Sequence, residues 1–149
     1  MYGDLSAQEI ERLLSSELVG RIGCHSDGQT YVVPTSYTYD GACVYVYSRE
    51  GTKLRMMRAN PSVCFQVDHI EGLGTWRSVI AWETFEELRG EDAATAKGII
   101  ERRFLPVMGG GSLERAHGMA GWEAHPATWQ DAILYRIVLT KKTGRYERS

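Results

Sequence analysis

Between Val44 and Asp68 the spacing of apolar and polar positions changes period twice. Val44, Tyr45, Val46 and Tyr47 are β-branched or aromatic, the residue types that suit a pleated, half-buried surface, and predict a strand. Ser48 to Gly51 breaks the run. From Thr52 the spacing becomes helical, with Leu54 and Met57 on one face and Lys53, Arg55 and Arg58 mostly elsewhere. Asn60-Pro61 ends the helix, because the residue before proline is driven out of the helical region. Val63, Phe65 and Val67 then alternate with Cys64, Gln66 and Asp68, predicting a strand with one buried face.

The same reading extends in both directions. Ser6-Ala7-Gln8-Glu9 is a capping box, and Ile10, Leu13 and Leu14 form the apolar face of the helix it opens, expected to pack over a barrel end. Val19 to His25 reads as a strand whose two glycines fit tight curvature. Ser26-Asp27-Gly28 makes a hairpin turn, Tyr31 to Tyr39 the return strand, and Asp40-Gly41 a second turn into a strand starting near Ala42. These three strands predict an antiparallel meander. Glu71 to Thr75 is a loop; its Gly-Leu-Gly lacks the third glycine and the strand–helix frame of a dinucleotide fingerprint. Trp76 to Leu88 is a long strand, with Trp76, Ser78, Ile80 and Trp82 on one face and Arg77, Val79 and Ala81 on the other.

Glu91 and Asp92 open a further helix, which Ala96, Ile99, Ile100, Arg103 and Phe104 carry to Leu105-Pro106. Val107 to Thr128 shows no period and contains Gly109-Gly110-Gly111; it is expected to be a mobile connection near the mouth of an active site. Ile133 to Thr140 is the last strand, and Lys141 to Arg145 turns away into a basic end. Six strands, mostly hairpin-connected, with helices at their edges predict a mainly β chain: an antiparallel six-stranded Greek-key barrel.

Composition narrows the classes. A chain of 149 residues, 43% hydrophobic and 24% charged, is one globular domain large enough to bury a core. A net charge of −2 gives no general pull toward nucleic acid or an anionic membrane. No apolar run reaches the ~20 residues of a spanning helix and no signal peptide opens the chain, so a cytoplasmic protein is expected. Cys24, Cys43 and Cys64 are odd in number, without CxxC spacing, and read as buried thiols. His25, His69, His117 and His125 form no paired metal motif.

Candidate chemistry sits at the strand-to-helix corner. Ser48 ends the strand, and Thr52 and Lys53 start the helix, where N–H groups and the positive end of the helix dipole favour an anion such as phosphate. Arg49, Lys53, Arg55 and Arg58 against Glu50 leave the corner net positive. A Thr-capped helix with a solvated basic face fits the same residues. Pro34 interrupts a strand pattern and places it at an edge or a kink. That is either a simple bulge or a backbone left open for a planar ligand.

The corner, the strand Tyr31-Val32-Val33-Pro34-Thr35-Ser36-Tyr37 and the later Trp76-Arg77-Ser78-Val79 resemble the FMN-binding split-barrel family that includes pyridoxamine 5′-phosphate oxidase. The similarity spans roughly Leu18 to Leu88, Tyr135 to Glu147 resembles the closing strand, and the nearest branch is that of nitroimidazole resistance. The resemblance implies a split barrel and a homodimer with FMN at its interface. It implies Lys53, Thr52 and Ser48 at the phosphate, Pro34, Thr35 and Ser36 along the ring through backbone atoms, and Tyr47 and Ser78 completing the pocket, Ser78 across the subunit boundary. It also implies oxidoreductase chemistry on a small molecule, with NADH or NADPH as donor. Thr52 stands where the pyridoxamine phosphate oxidase usually has a second basic residue, and its Trp- and Arg-bearing substrate segment is not found after Trp129, which argues against that substrate. A flavin- or pyridoxal-phosphate-binding protein without turnover is the alternative, and the same barrel could hold haem or a deazaflavin.

Overall fold

The computed structural model describes residues 1–107 and 131–149. The capping box forms as its spacing predicts: Ser6 Oγ accepts from the Glu9 N–H (3.2 Å) while Glu9 Oε1 accepts from the Ser6 N–H (2.9 Å). It opens α1 (Ala7–Ser16), which buries Ile10, Leu13 and Leu14. β1 (Tyr2–Asp4) precedes it, followed by β2 (Val19–Ser26), β3 (Gln29–Ser36), β4 (Thr38–Tyr39), β5 (Cys43–Ser48), α2 (Thr52–Ala59), β6 (Ser62–Gly72), β7 (Thr75–Glu87), α3 (Gly90–Val107) and β8 (Ile133–Arg148). The strands form one antiparallel sheet in the order β3-β2-β6-β7-β8-β5-β4, with β1 on β8. The chain is mainly β with three helices, and the sheet curls without closing, as in a split barrel.

Three expectations change. First, the predicted strand from Tyr31 to Tyr39 is two strands, β3 and β4, at opposite ends of the sheet. Tyr37 divides them. It is 1% exposed, its N–H donates to the Leu18 carbonyl (3.1 Å) and its hydroxyl to the Leu14 carbonyl (2.7 Å), which draws the chain out of both ladders. β3 therefore pairs with β2 and β4 with β5, and the three-strand meander does not form. Second, this split and β1 raise the strand count among the described residues from six to eight. Third, Lys141 to Arg145 does not turn away. β8 continues through it, paired with β7 as far as Arg148 after one irregularity beside Trp82. Leu73 and Gly74 are all that separate β6 from β7.

The Asp27-Gly28 turn has positive φ at both residues (53° and 76°), the geometry that joins two twisted strands tightly. Gly20 sits where a Cβ would lie 2.8 Å from the Gln66 carbonyl oxygen and inside contact with the Phe65 ring, so the glycine permits β2 to lie close on β6. The barrel interior holds Ile22, Phe65, Val67, Val79, Ala81, Tyr135 and Ile137. A second cluster lies on the outer side of β5, where Cys43, Tyr45 and Tyr47 pack against Leu88 and against Ala96, Ile100 and Phe104 of α3. Among the described residues no helix is long and apolar enough to cross a membrane.

Candidate functional site

Alternation along β5 sets up the corner. Val44, Val46 and Ser48 face the barrel interior, and Ser48, the last residue of the strand, is 1% exposed beside Ile133 of β8. The chain then turns through Gly51, the residue that precedes α2, and no side chain caps the first turn of that helix. Thr52 does not cap it. Its Oγ1 accepts from the Arg55 guanidinium instead (3.2 Å). An α-helix start without a side-chain cap leaves backbone N–H groups pointing at whatever lies before it, with the positive end of the dipole behind them. Before it lies a cleft of about 230 Å³ lined by Ser48 to Lys53 and, from the edge strand β3, Tyr31 and Val33. Lys53 is only 9% exposed although it carries an ammonium.

The charge around this cleft is sorted by α2. Arg58 binds Glu50 (2.7 Å) and Glu87 (2.7 Å), so the one carboxylate of the corner is already ion-paired. Hydrogen bonding to Arg58 holds the Glu50 carboxyl below its ordinary value. Arg49 and Lys53 supply the positive charge of the lining. Behind it lies the Cys24 thiol, pushed up by burial and by Cys64, with Lys53 partly opposing. Asn60 closes the helix and anchors it, its side-chain amide donating to the His25 carbonyl (2.8 Å).

The structure thus brings Ser48, Thr52 and Lys53 together. It places the other expected residues elsewhere. Pro34 lies on an edge strand, opposite Arg21 of β2, and is exposed; Thr35 and Ser36 are buried further along, with Thr35 Oγ1 donating to the Ser36 carbonyl (3.1 Å). Tyr47 is on the opposite face of β5 from Ser48, under α3. Ser78 borders a different cleft, of about 310 Å³, with Asp68, Ile70, Leu73 and Trp76. There the Gln66 amide donates to Ser78 Oγ (3.1 Å) and to Asp68 (2.9 Å), which also holds Arg21 (3.3 Å). Tyr31 and Val33 were missed as lining residues, although period-2 alternation puts them on the inward face of β3 with Thr35. His25 contacts Thr30 Oγ1 (3.0 Å), and His69 lies 3.4 Å from Glu17. His117, His125 and most of the glycine-rich stretch from 107 to 128, Gly109 to Gly111 included, lie outside the described residues.

An open antiparallel barrel with a positively charged corner beside an edge strand has the architecture of the split barrels. The chain belongs to the pyridoxamine 5′-phosphate oxidase family, whose model matches residues 6–145. Among solved structures it is similar to an FAD-binding protein of Mesorhizobium loti, with 32% identity, 99% of each chain covered and a TM-score of 0.76. An FAD-binding protein of Mycobacterium smegmatis shares 25% identity over 98% of each chain, with a TM-score of 0.66. A Bacteroides thetaiotaomicron structure named for 5-nitroimidazole antibiotic resistance matches at 18% identity, over 98% of this chain and 87% of that one, with a TM-score of 0.73. At that identity the likeness is one of fold.

Proposed function

We propose that this chain binds a flavin nucleotide, FMN, with its phosphate at the β5–α2 corner, and serves as a flavin-dependent oxidoreductase acting on a small molecule. The observation that carries the reading is Lys53, nearly buried at an uncapped helix start and lining a cleft of phosphate scale. The two relatives named for FAD binding support a flavin. The cleft, of about 230 Å³, is below the usual range for a whole cofactor and suits the phosphate end alone.

In this reading Lys53, Ser48 and the first N–H groups of α2 hold the phosphate. The open backbone of β3 around Pro34, Thr35 and Ser36 lines the ring, and Tyr31 and Val33 wall the cleft between them. Tyr47 braces β5 from behind. The flavin, when bound, supplies the electron-transfer chemistry, and the chain supplies position and a dry surface. Ser78 would reach the flavin from a second copy, because its own cleft is separate from the corner. A homodimer is therefore part of the proposal, with NADH or NADPH as the electron donor.

The test is direct. The absorption spectrum of the purified protein should be that of an oxidised flavin, and the flavin released by heat should run as FMN. Lys53→Ala should weaken FMN binding by about 1.5–3 kcal/mol and leave riboflavin, which lacks the phosphate, nearly unaffected. Equal losses for the two ligands would remove Lys53 from the phosphate. Anaerobic NADH or NADPH should bleach the flavin; reduction by dithionite alone would favour a binding protein without turnover.

A further inference from the structure

We propose that a cleft between α1 and the β7–β8 ladder is a second binding site, for a compact anion carrying two or more negative charges. The cleft holds about 320 Å³ and is lined by Glu9, Arg12, Leu13, Ser16, Arg77 and Arg148. Its three arginines come from three different elements: Arg12 from α1, Arg77 from β7 and Arg148 from the last residue of β8. One carboxylate lines it against three guanidinium groups.

The counter-charges are loosely held. Glu9 is committed to the capping box through Oε1, and its Oε2 stands 3.7 Å from Arg148, outside hydrogen-bond range. Glu71 stands 3.9 Å from Arg77, again too far to be a hydrogen bond. Exposed pairs at such distances contribute little, so the donors of these guanidinium groups remain available to a better acceptor. Each guanidinium presents its N–H groups in a planar fork that matches phosphate or carboxylate oxygens two at a time. Buried Leu13 forms an apolar wall, and the Ser16 hydroxyl at the rim contacts the Leu13 carbonyl (3.3 Å) and Glu17 (3.4 Å).

This site is independent of the flavin proposal. β8, 16 residues long, begins at Ile133, paired with Ser48 of the corner, and ends at Arg148, so the two clefts lie at opposite ends of the longest described strand. The ligand is a small polyanion, and phosphate and carboxylate sources share that chemistry.

Calorimetric titration with inorganic pyrophosphate, and separately with citrate, at low salt and with FMN present in excess, tests the site. One equivalent of either anion should bind per chain, and the tighter of the two identifies the source. Arg12→Gln and Arg77→Gln should each weaken that binding about tenfold, the scale for one lost charge-assisted contact. Glu9→Gln should strengthen it about threefold, since glutamine also serves at that capping-box position while the competing charge is gone. Lys53→Ala should change nothing. The proposal fails if neither anion binds below about 10 mM, the weak end of measurable affinity. It also fails if Lys53→Ala removes the binding, or if Glu9→Gln and the arginine variants leave it unchanged.

Discussion

The outer side of the sheet is treated differently over two of its regions. Over β5 it is covered: α3 lies on Cys43, Tyr45 and Tyr47, and all six residues of that strand are buried. Over β6 and β7, in the middle of the sheet, the same side is open among the described residues. Ile80 is 38% exposed, Ile70 66% and Leu73 100%, with Trp76 and Trp82 half-buried beside them and the Arg21–Asp68–Gln66–Ser78 network set among them. Among the described residues one helix, α3, covers this outer side, and it lies over β5. An apolar patch rimmed by polar groups, as the β6–β7 region shows, is what protein surfaces that meet a partner look like. The aromatic residues of this outer side therefore divide: Tyr45 and Tyr47 are hidden within the chain, whereas Trp76 and Trp82 are half-buried on the open stretch.

That contrast can be broken from either side. The largest effect belongs to the covered end: Phe104→Ala should cost about 3–5 kcal/mol of unfolding free energy by urea titration, because the cavity opens inside a packed cluster. A loss under about 1 kcal/mol would mean that α3 is a loose cover.

An intermediate effect concerns the turn that leads into β5. Asp40 accepts hydrogen bonds from the N–H groups of Cys43 (2.7 Å) and Ala42 (2.9 Å) and from the Tyr45 hydroxyl (3.0 Å). Partial burial works against its charge, but these bonds win and hold the carboxyl below its ordinary value of 3.8. A carboxyl whose folded value is lowered contributes stability above 3.8, and that contribution is lost as the pH falls through the folded value. The stability advantage of the native protein over Asp40→Asn should accordingly shrink as the pH is lowered beneath about 3.8. Parallel acid limbs would show that the charge of Asp40 contributes nothing.

The smallest effect on the fold belongs to the open region. Ile80→Lys should change the stability of the chain itself by no more than about 0.5 kcal/mol, since the position is already partly in water. Its mass by light scattering should nevertheless fall from that of a dimer to that of a monomer. A dimer that persists through both Ile80→Lys and Ile70→Lys would move the interface to another face.

Much of the local structure was legible because its causes are local. The Ser6–Glu9 box, the Asp27-Gly28 turn, the Asn60-Pro61 stop and the shift from strand to helical period at Thr52 each depend on residues within one or two turns of chain. The corner itself followed from the same signals, and with it Ser48, Thr52 and Lys53. What those signals did not contain was partnership. Tyr37 reads as one more strand residue, yet its bonds to Leu14 and Leu18 send β3 and β4 to opposite ends of the sheet. Arg58 reads as part of a basic face, yet Glu50 and Glu87 claim it. Ser78 reads as a pocket residue, and its own pocket proves to be a different one from that of Lys53.

From sequence alone, this protein's elements, its turns and the positive corner at Lys53 were determined, since steric limits on φ, side-chain period and capping act between near neighbours. Only the tertiary structure decided which strands became edges, which face α3 covered, and that Tyr31 and Val33 stand across from Ser48. Those outcomes depend on hydrogen bonds and apolar contacts between positions as far apart as Ser48 and Ile133, and their energies are set by which surfaces the closed chain can still bury.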